Sequence, residues 1–196
     1  MKIIGITGKS GSGKTTFASL LAQKLNCKHI DIDPIGHEAL FQPEIFDSLC
    51  EKFGRGILDE NGKVDRKRVG EVVFSQKQKM DELTELTWGY MQKILDEILI
   101  KNDDIIILDW ILLPNSKYWK MCDLKILVTS DENERKQKIL KRDNISEEYL
   151  EKRESASFDY STFEFDYIFE NDYKVETMKK IIEEIKEKNI HKLFKF

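Results

Sequence analysis

The spacing of apolar positions changes several times along the chain, and each change predicts a new element. Residues 3–6 form a short apolar run rich in isoleucine, and 105–108 and 124–128 repeat this signature. Short, continuous runs of this kind are typical of buried strands in a parallel sheet. Two further stretches, 28–33 and 166–169, are also predicted to be strands. The pattern therefore predicts about five strands.

Helical spacing fills the intervals between these runs, with apolar residues three and four positions apart. The predicted helices cover 15–25, 35–53 with a division near Pro43, 65–74 with Asp65 as N-cap, 77–100 ended by Asp103-Asp104, a charged helix from Ser130 to about Arg142, 147–156, and 175–185. Strands that alternate with helices in this way predict an α/β fold, in which a parallel sheet carries helices on both faces.

A glycine-rich motif joins the first strand to the first helix. Residues 8–15 read Gly-Lys-Ser-Gly-Ser-Gly-Lys-Thr, which matches the phosphate-binding loop pattern G-x-x-x-x-G-K-[ST]. Glycines let backbone N–H groups approach phosphate oxygens, and the helix N-terminus adds positive potential. Lys14 would reach the β- and γ-phosphates, and the Thr15 hydroxyl would bind Mg²⁺. An ordinary glycine-rich turn is the alternative, but the motif with its strand and helix predicts a nucleoside triphosphate site.

Polar residues cluster at the ends of the predicted strands. Lys14, Asp33, Asp109 and Asn171 all lie at or just past such ends, where parallel sheets bind their ligands. Asp33 is a candidate to orient and deprotonate an acceptor hydroxyl, and Asp31 or Asp109 could hold water ligands of Mg²⁺. Both Asp33 and Asp109 could instead be turn formers that only end a strand.

Composition narrows the class of protein. The chain has 196 residues, 40% of them hydrophobic, enough for one sizeable core. A net charge of −4 argues against a general nucleic-acid or anionic-membrane binder, and no apolar run reaches membrane-span length. Three widely spaced cysteines fit neither a metal motif nor an even set of disulfides. We therefore expect a cytoplasmic protein, a monomer or a small homo-oligomer.

The size and the missing base-recognition motif favour a small kinase over a GTPase. No N-K-x-D-like segment is present. The basic helix that contains Lys138 and Arg142 resembles a lid whose cations close over the triphosphate, where negative charge accumulates during phosphoryl transfer. The alternative is a solvated surface helix whose lysines pair with Glu132 and Glu134.

An ordered set of motifs resembles the dephospho-CoA kinase family. The set spans roughly residues 2–172 and comprises the loop from Ile6 to Thr16, Asp31-Ile32-Asp33, Phe53-Gly54, Gly62 to Arg66, Cys122 to Val128, Lys138 with Arg142-Asp143, and Asp166 to Asn171. The loop alone is shared by many families, whereas the whole set with matched gaps is much more specific.

The resemblance implies ATP-dependent phosphorylation of the ribose 3′-hydroxyl of dephospho-CoA, with Mg²⁺ as cofactor. It implies one P-loop kinase domain over 1–196, with a helical substrate-binding insertion at about 35–100 and a lid at about 131–158. The implied site comprises Gly11, Ser12, Gly13, Lys14, Thr15 and Thr16 on ATP phosphates, Asn171 near the adenine, Asp33 as base, Arg142 as lid cation, and Asp31 and Arg66 on the substrate.

Departures from the family pattern cluster on the acceptor side. On the long helix this chain has Thr87-Trp88 where the family has His-Pro, and after the third strand residues 111–115 stand where the family has P-L-L-F-E. Lys138 stands where the family has its first lid arginine; it keeps the positive charge but lacks the bidentate guanidinium group. Two alternatives therefore stay open. The chain could phosphorylate another small-molecule hydroxyl, such as that of a nucleoside or a sugar acid, or it could be a catalytically weakened nucleotide-binding paralogue.

Overall fold

A five-stranded parallel sheet is the central feature of the computed structural model, which describes residues 1–74, 76–102, 104–155 and 158–193. The strands within these ranges are β1 Lys2–Thr7, β2 Lys28–Asp31, β3 Ile105–Asp109, β4 Leu124–Thr129 and β5 Tyr167–Glu170. They lie in the order β2-β3-β1-β4-β5, and every neighbouring pair is parallel. The predicted α/β class is confirmed.

The described helices are α1 Lys14–Leu25, α2 Asp33–Ala39, α3 Pro43–Phe53, α4 Arg66–Val73, α5 Lys77–Ile100, α6 Lys117–Met121, α7 Glu132–Asp143, α8 Glu147–Ser155 and α9 Val175–Leu193. Most of them follow the predicted periodicity, but α6 was not predicted and α9 extends to Leu193, beyond the predicted end at 185. Short 3₁₀ turns occupy Arg55–Ile57 and Leu113–Asn115. Among the described helices, none combines the length and the apolar character that crossing a bilayer would require.

The chain divides into two compact units. The sheet unit comprises Met1–Ile32, Asn102–Ser146 and Phe158–Phe196, and the helical unit comprises Asp33–Lys101 and Glu147–Ser157. The helical unit contains the whole range of the predicted insertion at 35–100. Its assignment to substrate binding, like that of 131–158 as a lid, stays a prediction.

Each unit has its own apolar core. In the sheet unit, isoleucines of β1 and β4 pack with one face of α1 and one face of α9, including Phe17 and Ile182. In the helical unit, Leu49, Val69 and Val73 are buried, and Leu83 and Leu86 of α5 pack against them. The hydrophobic stripes of the sequence account for these cores, because burial of one helix face supplies most of the stability of a short helix.

Most helix boundaries agree with their predicted signals. The Asp65 carboxylate accepts hydrogen bonds from the backbone N–H groups of Lys67 and Arg68, which confirms it as the N-cap of α4. Pro43 begins α3, as the predicted division requires. The predicted cap Ser130 is wrong by one residue, because the Asp131 carboxylate accepts from Glu134 N–H at 2.9 Å.

The strand predicted over 28–33 is too long. The strand ends at Asp31, and Asp33 already begins α2 with Pro34 in its first turn. Proline is tolerated there because the first N–H groups of a helix have no intrahelical acceptor. Asp103 and Ala156, predicted at helix ends, lie outside the described residues.

Candidate active site

Two glycines of the phosphate-binding loop have left-handed backbone conformations. Gly11 has φ +78° and Gly13 has φ +87°, and Gly13 is the N-cap of α1. A Cβ at Gly13 would overlap the Asn171 amide, and one at Gly11 would lie 2.6 Å from Cγ1 of Ile139. Backbone conformation and neighbouring side chains therefore both require glycine at these positions.

Side chains from outside the loop hold its carbonyl groups. Arg135 Nη1 donates to the Ser10 carbonyl at 2.8 Å, the Tyr173 hydroxyl to the Gly11 carbonyl at 2.9 Å, and Asn171 Nδ2 to the Ser12 carbonyl at 2.8 Å. The structure thus places Asn171 against the loop, and its predicted contact with adenine stays a prediction. Arg135 and Tyr173 were missed by sequence reasoning, because neither belongs to a local motif.

A buried carboxylate lies beside the loop lysine. Asp109 is fully buried at the end of β3, with Oδ1 3.5 Å from Lys14 Nζ and Oδ2 3.4 Å from His29 Nε2. Its register partner on β2 is Asp31. Asn171 directly follows β5, and its N–H donates to the Thr129 carbonyl at 2.8 Å. Within the sheet unit, the predicted residues therefore do lie at the carboxyl ends of the strands.

A histidine joins the two predicted site residues of the helical unit. Arg66 Nη2 lies 2.8 Å from His37 Nδ1. Burial and the positive charge of Arg66 lower the pKa of His37, and the Asp33 carboxylate partly opposes this shift. Asp33, His37 and Arg66 thus form one electrostatic cluster. Sequence reasoning missed His37, although it lies one helical turn after Asp33 and this spacing brings the two onto one face of α2.

The predicted lid cations take part in local pairs. Lys138 Nζ lies 3.6 Å from the Glu134 carboxylate and 4.2 Å from the centroid of the Tyr173 ring. Arg142 donates to the Asp143 carboxylate at 2.7 Å, a bond that raises the pKa of Arg142, and its side chain is 58% exposed. Closure of either cation over a triphosphate stays a prediction.

The oxygen groups near the loop fit a magnesium ion. No group of three or more histidine, cysteine or acidic side chains that could hold a metal occurs within the described ranges. Among the residues that the structure describes, however, Ser12 Oγ and both Asp109 oxygens are buried and have no hydrogen-bond partner, although Asp109 lies within ion-pair distance of Lys14 and His29. Thr15 lies half-buried in the first turn of α1 and is followed by the exposed Thr16. Hydroxyl and carboxylate oxygens suit Mg²⁺, which keeps several waters and binds phosphates rather than needing an all-protein cage.

The strand order and the loop define a P-loop kinase fold. Solved structures with this fold include TT1252 from Thermus thermophilus, with a TM-score of 0.75 at 23% identity over 95% of this chain and 97% of that one. Dephospho-CoA kinase from Campylobacter jejuni has a TM-score of 0.59 at 24% identity over 96% and 100%. Shikimate kinase from Bacteroides thetaiotaomicron has a TM-score of 0.53 at 17% identity over 95% and 96%.

The sequence comparisons are more specific than the fold. The family model for dephospho-CoA kinase matches residues 2–177. Dephospho-CoA kinase of Fusobacterium nucleatum is 33% identical over 92% of this chain and 95% of its own length. The enzyme of the same name from Aquifex aeolicus is 30% identical over 94% and 98%. The chain therefore belongs to the dephospho-CoA kinase family, which makes it an ATP-dependent kinase and confirms the resemblance.

Proposed function

We propose that this protein transfers the γ-phosphoryl group of ATP to the ribose 3′-hydroxyl of dephospho-CoA, with coenzyme A and ADP as products. The observation that carries the proposal is the family match over 2–177, which includes the phosphate-binding loop and the whole helical unit. None of the comparisons favours another acceptor hydroxyl or a weakened paralogue.

On the donor side, we assign the ATP phosphates to the backbone N–H groups of 11–16 at the N-terminus of α1. Lys14 is only 8% exposed, so its ammonium group would meet the β- and γ-phosphates in a largely dehydrated setting where its charge is worth more. Thr15 would bind Mg²⁺, and Asp31 or Asp109 would hold water ligands of the ion. The ion would neutralise charge on the phosphates when bound.

On the acceptor side, Asp33 would accept the proton of the 3′-hydroxyl as that oxygen forms its bond to the γ-phosphorus and the bond to the ADP oxygen breaks. Arg66 and Asp31 would contact the substrate, and Arg142 would stabilise charge on the transferred group. In this proposal the helical insertion at 35–100 receives dephospho-CoA, and 131–158 forms the lid.

The test is ADP release in the presence and absence of dephospho-CoA. Lys14→Ala should abolish turnover, and Asp33→Asn should lower kcat by about 10²–10⁴-fold, the usual range for general-base catalysis, without weakening ATP binding. Asp47→Asn, an exposed acid on α3, is the matched control and should keep wild-type kcat.

Three results would contradict the proposal. Phosphorylation of a nucleoside or sugar acid, but not of dephospho-CoA, would indicate another acceptor. ATP binding without turnover of any acceptor would indicate a weakened paralogue. An Asp33→Asn loss below about tenfold would exclude Asp33 as the base.

We also propose that the protein works in the cytoplasm as a monomer or small homo-oligomer. Cys27, Cys50 and Cys122 are free thiols, which suits a reducing compartment. Light scattering after size-exclusion chromatography measures the assembly state, and a large or open-ended assembly would contradict this proposal.

A further inference from the structure

Three successive carbonyl groups of the phosphate-binding loop each accept a hydrogen bond from a side chain far away in sequence. The donors are Arg135 of α7 and, after β5, Asn171 and Tyr173. We infer that these three side chains form a carbonyl clamp that presets the loop for polyphosphate, and that Arg135 is a positioning residue for nucleotide binding. The inference rests on the proposed binding of ATP at this loop, but not on the identity of the acceptor.

The clamp orients the loop because a trans peptide unit is rigid and planar. Its C=O and N–H groups point in opposite directions, so a side chain that holds one carbonyl also sets the direction of the next residue's N–H. Holding the Ser10 and Ser12 carbonyls therefore directs the N–H groups of Gly11 and Gly13 away from the clamp. The intervening N–H of Ser12 donates within the loop, to the Lys9 carbonyl at 3.1 Å. Donors directed before the ligand arrives need no reorganisation on binding.

Arg135 is the charged member of the carbonyl clamp, and its side chain is buried. Its side chain is 1% exposed, although a buried guanidinium group is costly unless it is paired. Nη2 donates to Glu132 Oε1 at 2.7 Å and Nε to Oε2 at 3.4 Å, while Nη1 serves the loop. The hydrogen bond from Arg135 lowers the pKa of Glu132, so this carboxylate stays charged. The planar guanidinium group of arginine can donate to the Ser10 carbonyl and to the Glu132 carboxylate at the same time, whereas the single ammonium group of a lysine cannot reproduce this geometry.

Asn171 and Tyr173 belong to one strained turn. Tyr173 has φ +60°, an uncommon conformation for a residue other than glycine, and its N–H donates to Asn171 Oδ1 at 2.8 Å. The turn thereby directs the Asn171 amide to Ser12 and the Tyr173 hydroxyl to Gly11. Backbone strain of this kind persists where the surrounding structure requires it, and it often occurs at binding sites.

Removing the Arg135 donors separates a positioning role from a role in general stability. Arg135→Met removes the donors at similar length, and it should weaken binding of both ATP and inorganic tripolyphosphate by at least about tenfold, as expected for loss of a charged hydrogen bond. At saturating ATP, kcat and the KM for dephospho-CoA should stay within about twofold, whereas a merely structural defect would change them too. Hydrogen exchange of the Gly11 and Gly13 amides should become faster.

The controls keep the result interpretable. Lys188→Met removes the same charge from α9 of the sheet unit, outside the proposed lid, where Nζ lies 3.6 Å from the Glu184 carboxylate, and it should leave both affinities unchanged. Arg135→Lys should recover only part of the lost affinity.

A tripolyphosphate affinity loss below about tenfold for folded Arg135→Met would overturn the inference. If that variant does not fold, Tyr173→Phe decides, because it deletes one hydroxyl. A loss of at least about threefold supports the clamp, and a smaller loss overturns it. Both binding measurements omit the acceptor, so they stay valid even if dephospho-CoA proves not to be the substrate.

Discussion

Gly13→Ala should be among the most damaging single-methyl additions to this protein. Gly13 has φ +87° and ψ +10°, where an L-residue other than glycine costs about 1–2 kcal/mol. The new Cβ would also overlap Asn171 Nδ2, so the Asn171 amide must leave the Ser12 carbonyl. A buried carbonyl left without its donor costs a further ~1–3 kcal/mol.

The sum of these effects is about 2–5 kcal/mol of unfolding free energy. For a chain of this length, that corresponds to a Tm lower by about 4–20 °C. Urea unfolding followed by tryptophan fluorescence, together with thermal unfolding, measures both quantities. Gly62→Ala is the matched control, because Gly62 has φ +76° but no atom of the described residues lies within 4 Å of its Cβ position. The Gly62→Ala variant should lose only the part of the unfolding free energy that comes from the left-handed backbone conformation, about 1–2 kcal/mol.

A double-mutant cycle isolates the steric part. In an Asn171→Ala background the hydrogen bond to Ser12 is already lost, so Gly13→Ala should cost about 1–3 kcal/mol less than it does in the wild-type background. Equal losses of unfolding free energy for Gly13→Ala and Gly62→Ala, or strict additivity of Gly13→Ala with Asn171→Ala, would show that the Asn171 amide is not displaced.

Two further predictions concern titration. By NMR, His37 should titrate below its ordinary pKa of 6.5; Arg66→Gln should raise this pKa and Asp33→Asn should lower it, and the opposite directions would contradict the cluster. Because the folded-state pKa of His37 is the lower one, its stabilising contribution is present above 6.5 and is lost as the pH falls, so wild-type stability should fall more steeply with acidification than that of His37→Gln. Burial raises the pKa of Cys122 to about 12, so its thiol should react slowly with alkylating reagents in the folded protein and rapidly in urea, and fast labelling of the native protein would contradict its burial.

The elements with strong local signals could be predicted from the sequence. The loop from Gly8 to Thr15, the Asp65 cap and the helix at 77–100 all depend on residues within a few positions of one another, so their patterns are visible in the linear chain. Two boundary errors, at the end of β2 and at the start of α7, arose where two local signals compete. Ser130 and Asp131 are both good caps, and Pro34 both disfavours a helical residue before it and fits a first helical turn.

Short-range spacing along the chain is enough to predict that a phosphate-binding loop joins a buried strand to a helix. The side chains that hold this loop could be identified only in the folded protein. Arg135, Asn171 and Tyr173 reach it from positions 125, 159 and 162 residues away. Asp109 meets His29 and Lys14 because β3 lies between β2, which carries His29, and β1, which leads through the loop to Lys14 at the start of α1. Periodicity reports which face of an element is buried, whereas the partner of a buried polar group depends on which distant elements the sheet order brings together.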